Sequence, residues 1–78
     1  MSQSPLRNIS VKTFREYLKW EGLHYVRTNG GHEMWSREGL HRTVVFQTHK
    51  EPVPEEIVRR ILKTIGSNAD DYIEFLKS

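Results

Sequence analysis

From Ser10 onward the apolar residues first recur at helical spacing. Val11, Phe14 and Leu18 share one stripe, and Tyr17 flanks it. Ser10 is a fitting N-cap and Gly22 marks the end, so a helix is expected over roughly Val11 to Glu21. The period then changes to two. Val26 alternates with Arg27, and Val44 and Phe46 alternate with Thr43 and Val45, the pattern of strands with at least one covered face. Strands are expected over Leu23 to Thr28, His32 to Arg37 and His41 to Gln47, with turns at Asn29-Gly30-Gly31 and Glu38-Gly39. Alternation leaves open whether Met34 or Trp35 points to the core.

The helical period returns after Pro54, which fits a first helical position. Glu55 and Glu56 complement the positive end of the helix dipole there, and Ile57, Val58, Ile61, Leu62 and Ile65 form an apolar stripe that Gly66 closes. Ser67 or Asn68 can cap a last short helix from about Ala69 to Leu76. Asp70 and Asp71 fall in its first turn, and Tyr72, Ile73, Phe75 and Leu76 are available for docking. The order is α-β-β-β-α with a short C-terminal helix, an α+β fold in which a three-stranded antiparallel sheet carries helices on one face and leaves the other free to bind. Residues 1–9 show no period and read as a flexible lead-in to a single domain over residues 10–78.

Size and composition narrow the functions. A chain of 78 residues has room for one small core and none for a large buried substrate cavity. There is no cysteine, so a disulfide framework and a thiolate metal site are both excluded. No apolar run approaches the about 18 residues of a membrane span, and Met1 to Arg7 lacks the apolar core of a signal peptide, so a cytoplasmic protein with no membrane partner is expected. Charge is uneven. Residues 1–50 carry eight Lys and Arg against four Glu, a net +4, whereas residues 51–78 carry four against six, a net −2. Lys12, Arg15, Lys19, Arg27, Arg37 and Arg42 are available as a footprint for a polyanion, the alternative being ordinary solvated charges.

The basic half also holds the best candidate for chemistry. Asn29-Gly30 is a strong hairpin signal, because both central residues of a type I′ turn need positive φ, and Gly31 lets a bulky group approach the backbone. The turn delivers His32 to the start of a strand, and histidine can take and give a proton near neutral pH. A proton carrier, exposed glycine amides and the charge of Arg27 together suit a phosphodiester. His24, His41 and His49 have no carboxylate or second histidine at metal-ligand spacing, so no metal and no cofactor are expected.

Five segments stand out together: Trp20-Glu21-Gly22, Tyr25-Val26-Arg27-Thr28, Gly30-Gly31-His32, Phe46-Gln47-Thr48-His49 and the helix Ile57 to Gly66. Through them residues 12–76 resemble the HicA toxins of bacterial toxin–antitoxin pairs, small ribonucleases with a double-stranded-RNA-binding-like fold. The resemblance implies a metal-independent endoribonuclease that cleaves messenger RNA with His32 as its catalytic histidine and is silenced by a HicB-type antitoxin. Gly31 stands where the family usually has serine, and Gln47 where it often has proline. Gly30, Gly31, Arg27 and Lys12 are then expected to bind RNA and stabilise charge, and His49, in a loop that the family also marks with histidine, to help bind it.

Three functions remain distinct: the ribonuclease, a non-catalytic RNA-binding module of the double-stranded kind, and a protein whose open sheet face docks a partner. Only the first needs His32. Trp20 and Trp35 are read as core aromatics, with base stacking as the alternative. Arg59, Arg60 and Lys63 are read as a solvated helix face, with the antitoxin as the alternative.

Overall fold

A computed structural model describes residues 4–78. Its elements follow the order α-β-β-β-α-α: α1 Val11–Trp20, β1 His24–Asn29, β2 His32–Ser36, β3 Val44–Gln47, α2 Glu55–Ile65 and α3 Ala69–Lys77. The strands form one antiparallel sheet in the order β1-β2-β3, so the α+β architecture is the expected one.

Ser10 caps α1 through its hydroxyl, which accepts from the Thr13 N–H at 3.1 Å, an interaction typically worth about 1 kcal/mol. Val11, Phe14, Tyr17 and Leu18 are its buried stripe. At the start of α2, Pro54 is the N-cap rather than the first helical residue, and Gly66 ends the helix in the left-handed conformation at φ +77°. Asn68, not Ser67, caps α3, in a reciprocal capping box with Asp71. Of the four residues expected to dock α3, only Tyr72 is fully buried, and Leu76 is 57% exposed.

The sheet's inner face is Glu33 and Trp35 from β2 with Val44 and Phe46 from β3, all buried. This settles the orientation of β2: Trp35 points to the core and Met34 to the open face. Phe46 meets Phe14 of α1 edge-on at 5.1 Å between ring centroids, which seats α1 against the inner face. β1 is an edge strand exposed along its whole length, and a register shift between Tyr25 and Arg27 breaks the alternation expected around Val26, which is 47% exposed. The third strand is shorter than expected, since residues 41–43 belong to the connection from β2. The first hairpin turn is Gly30-Gly31, both at positive φ (+59° and +83°), while Asn29 is still in the strand opposite His32.

Within residues 4–9, read from the sequence as a loose lead-in, Leu6 and Ile9 belong to the core while Pro5, Arg7 and Asn8 are exposed; residues 1–3 lie outside the described residues. Leu6 and Ile9 are 1% and 3% exposed. Ile9 accepts from the Val53 N–H at 2.8 Å and so fastens this segment to the approach to α2.

Candidate active site

His32 opens β2 on the exposed face of the sheet, directly opposite Gln47 of β3. Their Nε2 atoms are 3.1 Å apart. An amide N–H can only donate, so in this orientation His32 Nε2 accepts and the ring proton lies on Nδ1. With the amide turned over, its oxygen accepts a hydrogen bond from Nε2–H and leaves the Nδ1 lone pair free. In both cases Gln47 sets the tautomer and the ring's orientation, as the second nitrogen's partner commonly does.

Behind this pair lies a cavity of about 230 Å³ between β3 and α2, with Val45 and Ile57 as apolar wall and Lys50 and Arg60 as cations. It is smaller than the roughly 300–1,000 Å³ of drug-sized ligand sites, and so suits a single flat ring. Arg60 also borders a broader, open hollow that includes His41, Arg42 and Lys63. A basic track therefore leads away from His32 along α2.

Arg27 pairs with Met34 across the β1–β2 ladder, and its Nε lies 3.4 Å from the Met34 sulfur. Met34 and His32 share the open face, so Arg27 is one pleat along from the histidine. Gly30 and Gly31 form the turn beside it. The Gly31 carbonyl accepts from the Thr48 N–H at 3.1 Å and lies 3.4 Å from the Thr48 hydroxyl. His49 follows, and its imidazole lies over Gly31: a Cβ there would be 3.1 Å from His49 Nδ1. The group that Gly31 admits to the backbone is thus a side chain of the protein itself.

Lys12 is elsewhere. It borders a shallow hollow of α1 and α3 with Thr13, Phe75 and Leu76, and is not among the residues around the His32 cavity. Two other expected footprint residues, Arg15 and Arg37, are committed to the fold, whereas Lys19 stays exposed. Arg15 makes a bidentate pair with Glu33, both contacts 2.9 Å, and the Trp35 indole N–H donates to the same carboxylate at 2.8 Å. Burial pushes the Glu33 carboxyl up, but the hydrogen bonds from Arg15 and Trp35 and the charge of Arg15 outweigh it, and the group lies below the usual carboxylate range. Arg37 donates to the Glu21 carbonyl at 2.6 Å and the Ile65 carbonyl at 2.8 Å, joining the ends of α1 and α2, where a cation suits the helix dipoles. Lys19 pairs with Glu16 at 3.4 Å.

Gln47, Lys50 and Arg60 are the site residues that sequence reasoning missed. Strand pairing was the available signal for Gln47, because antiparallel pairing of the second and third strands brings the third strand's end opposite His32. Arg60 gave none, since its side of α2 depends on how that helix meets β3. Trp20 is 42% exposed but stacks on Tyr17 and meets Phe75, and Trp35 is buried.

Among the described residues, no group of three or more His, Asp or Glu is placed to hold a metal ion, and no helix is long and apolar enough to cross a membrane. In comparisons with known proteins, no family model, no curated protein and no solved structure matches this chain.

Proposed function

We propose that this protein is a metal-independent endoribonuclease acting on messenger RNA, the toxin of a HicA-like pair, working in the cytoplasm under the restraint of a HicB-type antitoxin. The observation that carries the reading is the exposed His32, oriented by Gln47 at the mouth of a ring-sized cavity flanked by Lys50 and Arg60. A base fits the cavity and its phosphates meet the cations. With the Gln47 amide oxygen accepting from His32 Nε2–H, the free Nδ1 lone pair removes the proton of the ribose 2′-hydroxyl as this oxygen attacks the adjacent phosphorus. The P–O5′ bond breaks, and the products are a 2′,3′-cyclic phosphate and a 5′-hydroxyl.

One positioned proton-transfer group supplies roughly 10²–10⁴-fold, so the cations and the amides of Gly30 and Gly31 have to contribute charge stabilisation as well. The RNA path runs from His32 past Arg60 toward Arg42 and Lys63, and on the β1 side past Arg27. It leaves out Lys12.

The decisive experiment incubates purified protein and its His32→Ala variant with a defined RNA, with and without excess EDTA, and identifies the cut ends. Cleavage to cyclic phosphate by the wild type in both conditions, lost in a folded variant, is the expected result. Equal cleavage by the variant, or dependence on an added divalent ion, refutes the mechanism. The open basic face also supports the rival reading, a non-catalytic RNA-binding module; RNA bound tightly but left intact by the wild type would establish it.

A further inference from the structure

We infer that His49 is the second proton-transfer residue of the site, the general acid that protonates the departing 5′-oxygen; this rests on the ribonuclease reading above. In an in-line displacement at phosphorus, the attacking and leaving oxygens occupy opposite apical positions. An imidazole that takes the proton from the 2′-hydroxyl on one side cannot also deliver one to the 5′-oxygen on the other. A donor is needed across the phosphate.

The hairpin supplies one. His32 is opposite Gln47, and the Thr48 N–H to Gly31 carbonyl bond continues the β2–β3 ladder by one more rung. His49 is two residues beyond Gln47, in the turn that follows β3, and its ring reaches back to Gly31, the residue before His32. The two imidazoles flank the Gly31 peptide, one leading on from it and the other lying over it with Nδ1 only 3.1 Å from where a Cβ would be. A side chain at position 31 would take the place that the His49 ring now fills. A phosphate seated at this turn meets both imidazoles, with His32 serving the 2′-oxygen and His49 the 5′-oxygen.

Of the neighbouring donors, Arg27 and Arg60 do not give up a proton in proteins and an ammonium such as that of Lys50 is ordinarily a far weaker acid than an imidazolium, whereas imidazole transfers a proton near neutral pH. Protons balance: His32 gains the one lost by the 2′-hydroxyl, and His49 gives one to the 5′-oxygen. Exchange with water restores both rings, and no oxidant, reductant or metal enters.

The test uses RNA with sulfur replacing the bridging 5′-oxygen of one linkage, because a thiolate leaves without being protonated. His49→Ala and His49→Gln should cleave ordinary RNA about 10²–10⁴-fold more slowly than wild type, yet cleave the sulfur-bridged linkage within about tenfold of it. His32→Ala should stay defective on both substrates. If folded His49 variants cleave ordinary RNA at the wild-type rate, or are equally impaired on both linkages, the inference is overturned while the ribonuclease reading stands. A wild type inert on both substrates overturns both.

Discussion

Gly31→Ala and Gly30→Ala, made side by side, separate the conformational demand of the turn from the contact with His49. Both glycines have positive φ, +59° at Gly30 and +83° at Gly31. An L-residue in the left-handed region costs about 1–2 kcal/mol, and replacing glycine by alanine returns roughly 0.4–1 kcal/mol by restricting the unfolded chain. For Gly30, where an added Cβ meets nothing within 4 Å, the net is a loss of about 1 kcal/mol or less. Gly31 has the higher φ, outside the left-handed well near +50 to +70°, and its Cβ would sit 3.1 Å from His49 Nδ1 and 3.4 Å from Cε1. The His49 ring is exposed and can turn away, so the steric part costs stability little. It costs the position of the ring.

Gly31→Ala should therefore lose about 1–2 kcal/mol, only modestly more than Gly30→Ala, and a transition moves by about 4–8 °C per kcal/mol in a domain of this size. The two variants should differ much more in RNA cleavage. Urea unfolding measures the first quantity and single-turnover cleavage the second. In a double mutant with His49→Ala the excess cleavage defect of Gly31→Ala should disappear, because the displaced ring is then already missing. Gly30→Ala and Gly31→Ala with the same stability and the same cleavage rate would refute the reasoning, since only Gly31 is covered by His49.

Two further perturbations address the rest of the molecule. Glu33→Gln removes the charge that holds Arg15 and should cost about 1–2 kcal/mol, below the about 1.5–3 kcal/mol of a buried charged hydrogen bond because Arg15 is partly solvated. The Glu33 carboxyl is depressed from its ordinary 4.5, so its contribution is full above that value and is lost as pH falls through the lower folded-state value; the gap between wild type and variant in urea midpoint should close in that acid range, and a gap independent of pH would contradict the assignment. Arg60→Glu and Arg42→Glu, both at exposed positions, should weaken RNA binding and flatten the slope of its salt dependence by about 0.7 for each phosphate no longer neutralised, with antitoxin affinity falling in parallel where the antitoxin covers the same track; Lys12→Glu should do neither, and RNA binding that depends on Lys12 rather than Arg60 would redirect the RNA path.

Local chemistry makes the helices readable. The hydroxyl of Ser10, the left-handed Gly66 and the stripe from Val58 to Ile65 each act within about one turn of chain, and the structure uses all three. The same holds for the hairpin, although the turn lies one residue further on because two adjacent glycines meet the positive-φ demand better than Asn29-Gly30. The segment before Ser10 is illegible for the converse reason. Leu6 and Ile9 have no periodic neighbours, both are buried in the core, and Ile9 is held by a bridge to Val53, which is distant in the chain.

The candidate site divides along the same line. His32 is legible because its turn is local, and Arg27 because it lies on the adjoining strand of the same hairpin. Charge counting cannot tell a cation that is free from one that is committed. Arg15 and Arg37 are as good candidates by sequence as Arg42, yet one neutralises the buried Glu33 and the other bonds the last carbonyls of two helices. Removing either from the count leaves the net charge of the first half looking basic while shifting its exposed part toward α2. The packing of α2 against β3 then places Arg60, from the acidic half of the chain, beside His32. A polyanion meets the charges the fold leaves unpaired, so the composition of a segment describes its partner only after the internal pairs have been subtracted.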